Sequence, residues 1–103
     1  MNFSKNNFTV ATISIASPAV ITSVAHELYT DDEIILETTG ALPTGLVVDT
    51  KYYVVYNGIT ADTFEISASK GGTPINTTGT QSGVHSFLKV NRARLSPNIE
   101  DNR

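Results

Sequence analysis

Cysteine and tryptophan are absent from the 103 residues, and methionine occurs once. Without cysteine there is no disulfide, no thiolate nucleophile and no zinc–thiolate site. Redox compartment is left open, because such a chain tolerates any of them. Basic residues are few: seven Lys and Arg against ten Asp and Glu, for a net charge of −3. No basic stripe runs through the sequence, so binding to naked nucleic acid through phosphate neutralisation is not expected. No apolar run approaches the roughly 20 residues of a spanning helix. With a mean hydropathy of −0.05, no membrane association is expected either. The first residues, Met1-Asn-Phe-Ser-Lys5, lack the apolar segment of a secretory signal, so synthesis and assembly in a cytoplasm are expected. Sustained helical periodicity is missing as well.

What is present is β-chemistry. Thr, Val, Ile, Tyr and Phe dominate, and these residues suit a pleated, half-buried surface. Strands are expected near residues 8–15, 20–25, 33–38, 51–56, 63–69 and 84–90. In the first, Ala11, Ile13 and Ile15 alternate with Thr12 and Ser14. In the fifth, Phe64, Ile66 and Ala68 face inward, with Glu65 and Ser67 outward. Val47-Val48 is a candidate for a further short strand, and Pro74–Thr78 for an edge strand or an open loop. Ser17-Pro18, Asp31-Asp32, Gly40–Gly45 and Asn57-Gly58 read as turns, the last favouring positive φ. Strands at this spacing describe an all-β fold, a small antiparallel β-barrel or sandwich of six to seven short strands. One domain is expected, with an N-terminal arm at 1–7, the β-module at 8–90 and a C-terminal arm at 91–103.

No catalytic constellation stands out, and no cofactor is expected. His26 and His85 are the only histidines. No Gly-x-Ser-x-Gly elbow accompanies them, and a structural role is expected for both: His26 capping backbone at a strand end, His85 packing on the parity of Phe87. Asp31-Asp32-Glu33 lacks the alternating ligands and glycine of a calcium loop, and reads as a solvated turn that opens a strand. The glycine-rich turns lack the Gly-Lys-Ser/Thr ending of a phosphate loop. In Tyr52-Tyr53-Val54-Val55-Tyr56, alternation sets Tyr52 and Tyr56 on one side and Tyr53 on the other. Tyrosine is enriched at protein interfaces, which makes Tyr53 a candidate contact. In the arms, Phe3, Arg92, Arg94, Leu95 and Ile99 are the candidate contact residues, and the arms are expected to carry much of any attachment.

The string His26-Glu-Leu28, Asp32–Leu36, Leu42-Pro-Thr-Gly-Leu46, Tyr52–Tyr56, Thr63-Phe-Glu-Ile66 and Gly83-Val-His-Ser-Phe87 resembles a recurrent β-module of tailed-bacteriophage virion proteins. That module is similar in pattern to the small β-barrel of ubiquitin-activating enzymes, their first catalytic cysteine half-domain. The likeness covers roughly residues 13–88. The module usually has a glycine after its first histidine and another before the aspartate of its third strand, where this chain has Glu27 and Asp31. The resemblance implies a fold and a setting without a reaction: no cysteine is present to carry ubiquitin chemistry. It implies a non-enzymatic virion structural protein, most simply a capsid decoration (cement) protein that stabilises the head. Its partner would be the major capsid protein or another virion structural protein, and it would act as a homo-oligomer, a trimer being one form. A tail, head-fibre or baseplate accessory module is the alternative within this class. A receptor- or glycan-binding module using the tyrosine strand is the alternative outside it.

Overall fold

The computed structural model describes residues 8–90. The arms at 1–7 and 91–103, with their expected contact residues Phe3, Arg92, Arg94, Leu95 and Ile99, lie outside the described residues. Six strands form: β1 (Thr9–Ile13), β2 (Ile21–Thr22), β3 (Glu33–Thr38), β4 (Tyr52–Val55), β5 (Thr63–Ser67) and β6 (His85–Val90). All pairings are antiparallel, and the order β1-β2-β5-β4-β3-β6 closes on itself as a barrel. The barrel thus decides between the two expected architectures.

Closure follows from the alternation. Ala11, Ile13, Ile21, Ile34, Leu36, Tyr52, Val54, Phe64, Ile66 and Phe87 all turn inward and are buried. Phe64 sits at the centre, with its ring edge-to-face on Phe87 at 5.5 Å and on the His26 ring at 5.0 Å. Edge-to-face contact brings the positive rim of one ring to the negative face of the other.

Several expectations need correction. Ile15 lies beyond β1 and is exposed. The second strand is only two residues long. Val47-Val48 is no strand; both side chains are exposed in the connection after β3. Ala68 lies past the end of β5 and is exposed, not inward. Glu65 and Ser67 do sit opposite Phe64 and Ile66, yet both are buried. A turn covers each of them. The Asn57-Gly58 turn folds over Glu65, and Asn57 Nδ2 donates to Glu65 Oε1 at 3.3 Å. Gly58 has φ +79°, as that dipeptide favours, and a Cβ there would strike the Glu65 carboxylate. Ser67 Oγ donates to Ser69 O under the Ser69–Gly72 turn.

Residues 74–78 are neither an edge strand nor an open loop. They seal one end of the barrel. Ile75 N–H donates to Ile66 O at 2.9 Å, and Ala19 N–H donates to Ile75 O at 3.0 Å. Buried Thr77 donates through Oγ1 to Ser14 O at 2.7 Å and accepts from Ala16 N–H at 3.1 Å. The bonds to Ser14, Ala16 and Ala19 satisfy backbone groups in the connection between β1 and β2, and that to Ile66 satisfies one on β5, as burial requires.

Glu27 and Asp31 both occupy the left-handed region, at φ 59° and 75°. An ordinary L-residue there costs roughly 1–2 kcal/mol, less for aspartate, which glycine avoids. Glu27→Gly is expected to raise stability by about 0.5–1 kcal/mol after the extra unfolded-state entropy of glycine, read as a higher urea midpoint; a lower midpoint would contradict the strain. Phe64→Ala is expected to cost about 3–5 kcal/mol in the same titration, and an unchanged midpoint would place the ring outside the core.

Candidate functional site

Both histidines are tied into the frame. His26 Nε2–H points at Thr60 O (2.7 Å) and Thr63 O (3.1 Å), while its Nδ1 accepts from Leu28 N–H at 2.9 Å. The ring therefore caps the loop before β5 from the turn after β2, as a neutral Nε2–H tautomer. His85 lies in a chain of hydrogen bonds with one consistent direction. Gln81 Nε2 donates to Ile13 O at 2.8 Å, which leaves Gln81 Oε1 to accept from His85 Nε2–H at 2.8 Å. Thr38 Oγ1 donates to His85 Nδ1 at 2.8 Å and itself accepts from Gly40 N–H at 3.1 Å. The chain joins β1, β6 and β3 where β1 and β6 diverge. Each ring nitrogen has one partner suited to a neutral imidazole.

The acidic turn is not solvated throughout. Asp31 is exposed, but Asp32 is buried, accepts from Tyr29 N–H at 2.8 Å and lies 3.4 Å from Lys89 Nζ. It closes the turn that opens β3 and anchors the far end of β6. No group of three His, Cys, Asp or Glu side chains is arranged to hold a metal among the described residues.

The tyrosines divide differently from their alternation. Tyr52 is buried and its hydroxyl accepts from Val47 N–H at 2.9 Å. Tyr56 falls beyond β4 and is 79% exposed, so it does not share the face of Tyr52. Tyr53 is half-buried on the outer face, opposite Glu33 on β3 and Ser67 on β5.

Among the described residues there is also a concavity that the sequence did not single out. A groove of about 490 Å³ crosses the outer face of β1, β6 and β3, lined by Phe8, Val10, Ile35, Glu37, Val84 and Ser86, with Thr38, Thr39 and Asp49 at one end. Register explains it. Val10, Ser86 and Glu37 form one row across the three strands, and Leu88 and Ile35 lie side by side in the next. Serine is short, so the middle of the face is low between Val10 and Glu37. A second hollow of about 400 Å³ continues along the β1–β6 seam and shares Val10 and Val84 with the first. Val10 and Val84 are more than half exposed. The concavity, with its apolar side chains on an outer face, is the candidate site. Tyr53 is not among the groove residues. The sequence did carry a signal: Val10, Ile35, Val84 and Leu88 are apolar at positions whose parity points away from the core.

Burial holds His85 below its ordinary imidazole pKa of 6.5. The unfolded chain then takes up that proton more readily than the folded one. The contribution is complete above about pH 6.5 and is lost as pH falls through 6.5 toward the lower folded value. His85→Gln keeps a donor and an acceptor, so unfolding free energy should fall less steeply between pH 6.5 and 5 than in the parent. Equal slopes in denaturant titrations across that range would exclude a linkage through this ring.

No protein-family model matches the chain, and no curated protein or solved structure matches it either.

Proposed function

We propose that this chain is a non-enzymatic structural protein of a bacteriophage virion, most specifically a capsid decoration protein. The observation that carries the reading is the outer groove on a closed barrel. A closed barrel offers no free sheet edge for strand addition, so attachment must run through side-chain faces or through the arms. The groove is such a face, apolar and shallow, suited to an extended chain rather than to a small reactant. The likeness of residues 13–88 to the phage β-module supports the setting. In this reading the partner is the major capsid protein, and many weakly bound copies on a symmetric lattice act together through multivalency.

A glycan- or receptor-binding role has one observation in its favour: Tyr29 and Tyr56 are both more than 70% exposed, and exposed rings can stack on sugars. The buried Tyr52 counts against a continuous aromatic platform along β4.

Imaging of virions made with and without this protein tests the proposal. Loss of density over capsid subunit junctions, with heads that rupture at lower temperature, is the expected result. Missing density on the tail or head-fibre would favour the accessory-module alternative, and specific capture by a glycan array would favour the receptor-binding one. Particles unchanged in density and strength would overturn the virion reading.

A further inference from the structure

We propose that Asn57 is a modification site: it deamidates through a ring closed by Gly58, and the new carboxylate is set against the buried carboxylate of Glu65. This inference rests on the turn between β4 and β5, and does not depend on the virion reading.

The dipeptide is reactive by its own chemistry. Asn57-Gly58 is the only Asn-Gly pair in the sequence. Asparagine is among the thermolabile residues, and a glycine nitrogen has no neighbouring side chain to shield it from the amide before it. Gly58 N attacks Asn57 Cγ; the N–Cγ bond forms and the Cγ–Nδ2 bond breaks. Nδ2 leaves as ammonia, carrying off the proton of the Gly58 N–H. Water then opens the cyclic imide. Addition at Cγ gives aspartate, and addition at the main-chain carbonyl gives isoaspartate, with the backbone rerouted through Cβ and Cγ. Both products carry a carboxylate. Water is the only co-reactant, and nothing is oxidised or reduced.

The structure leaves this pair open to water and fixes what the product meets. Asn57 and Gly58 are the central residues of the turn that Ile59 N–H closes on Tyr56 O at 3.3 Å, and both are exposed. Gly58 stands at φ +79°, the positive value that the third position of such a turn takes. Glycine is required there for a second reason, since a Cβ would come within 2.9 Å of the Glu65 carboxylate carbon. Burial of Glu65, which is 6% exposed, therefore holds the reactive dipeptide in place. Asn57 supplies that carboxylate with a donor, Nδ2 to Oε1 at 3.3 Å. Across the ladder Glu65 faces Val55 on β4. Lys51 and Lys89 pair with Glu33 and Asp32, and no lysine among the described residues forms an ion pair with Glu65. Deamidation replaces the donor with a second anion at the same place. Two carboxylates sharing one site repel, and the buried one has no water to screen it. The turn must then lift from β5, or one carboxyl must take up a proton.

Ageing and substitution test the two halves separately. Full-length protein is held folded in warm, mildly alkaline buffer beside a synthetic peptide of residues 53–61, and both are mapped by mass spectrometry. Asn57 should convert to a mixture of aspartate and isoaspartate, ahead of Asn76. An Asn57 still in the amide form when the peptide has fully converted would overturn the proposal. Asn57→Asp reproduces the aspartate product directly, and its urea midpoint should fall below the parent's at neutral pH. Glu65→Gln keeps an acceptor for Asn57 and offers a donor to an aspartate. In that background Asn57→Asp should leave the midpoint unchanged or raise it. The resulting double-mutant cycle separates the carboxylate pair from any general effect of aspartate in the turn. A midpoint for Asn57→Asp equal to the parent's, or an equal fall in both backgrounds, would show that no clash with Glu65 exists.

Discussion

β6 is hydrogen-bonded along both edges, to β3 through six register pairs and to β1 through three. That double pairing joins the first and last strands of the module and closes the sheet. Everything else follows from it. Once the sheet closes, each strand has one face in a sealed interior and one outside, so Phe87 and His85 meet the core while Ser86 and Leu88 look outward. The same closure takes away the sheet edges through which small β-domains often associate. It concentrates binding capacity on the outer face of the three strands around β6.

The hydrogen-bond chain through Gln81, His85 and Thr38 matters because it sits where this pairing ends. β1 and β6 separate beyond Ala11 and His85, and backbone groups there would otherwise face a hollow. Gln81 bridges to Ile13 and the imidazole carries the connection to β3. At the opposite end, Lys89 and Asp32 hold β6 to the turn that opens β3. A neutral network at one end and an ion pair at the other give the same strand two kinds of support.

The fold was largely legible in the sequence, because period-two alternation is a local signal. Phe64, Ile66 and Phe87 could be assigned to the core without tertiary information, β3 was readable to its end residues, and the Asn57-Gly58 turn announced its own conformation. Burial of Glu65 and Ser67 was not legible: it depends on turns that fold back over β5, and alternation cannot distinguish an outward face from an uncovered one. The outer groove was hidden for a different reason. Val10, Ile35, Val84 and Leu88 each look like a stray apolar residue on the wrong face. They become one surface only because β6 inserts between β1 and β3, a neighbour relation between strands far apart in the chain.

The placement of the barrel's two chain exits has a mechanical consequence. β1 begins and β6 finishes at the same end of neighbouring antiparallel strands, with Thr9 opposite Phe87. Tension applied between Phe8 and Val90 would act across the ladder and open its hydrogen bonds one after another, as a zipper opens. Load along the strands would have to break them together and would meet far greater resistance. The molecule is therefore weak in one direction and strong in another. A scaffold using it under strain would keep both exits on the same side of the load and pass the force through the body of the barrel.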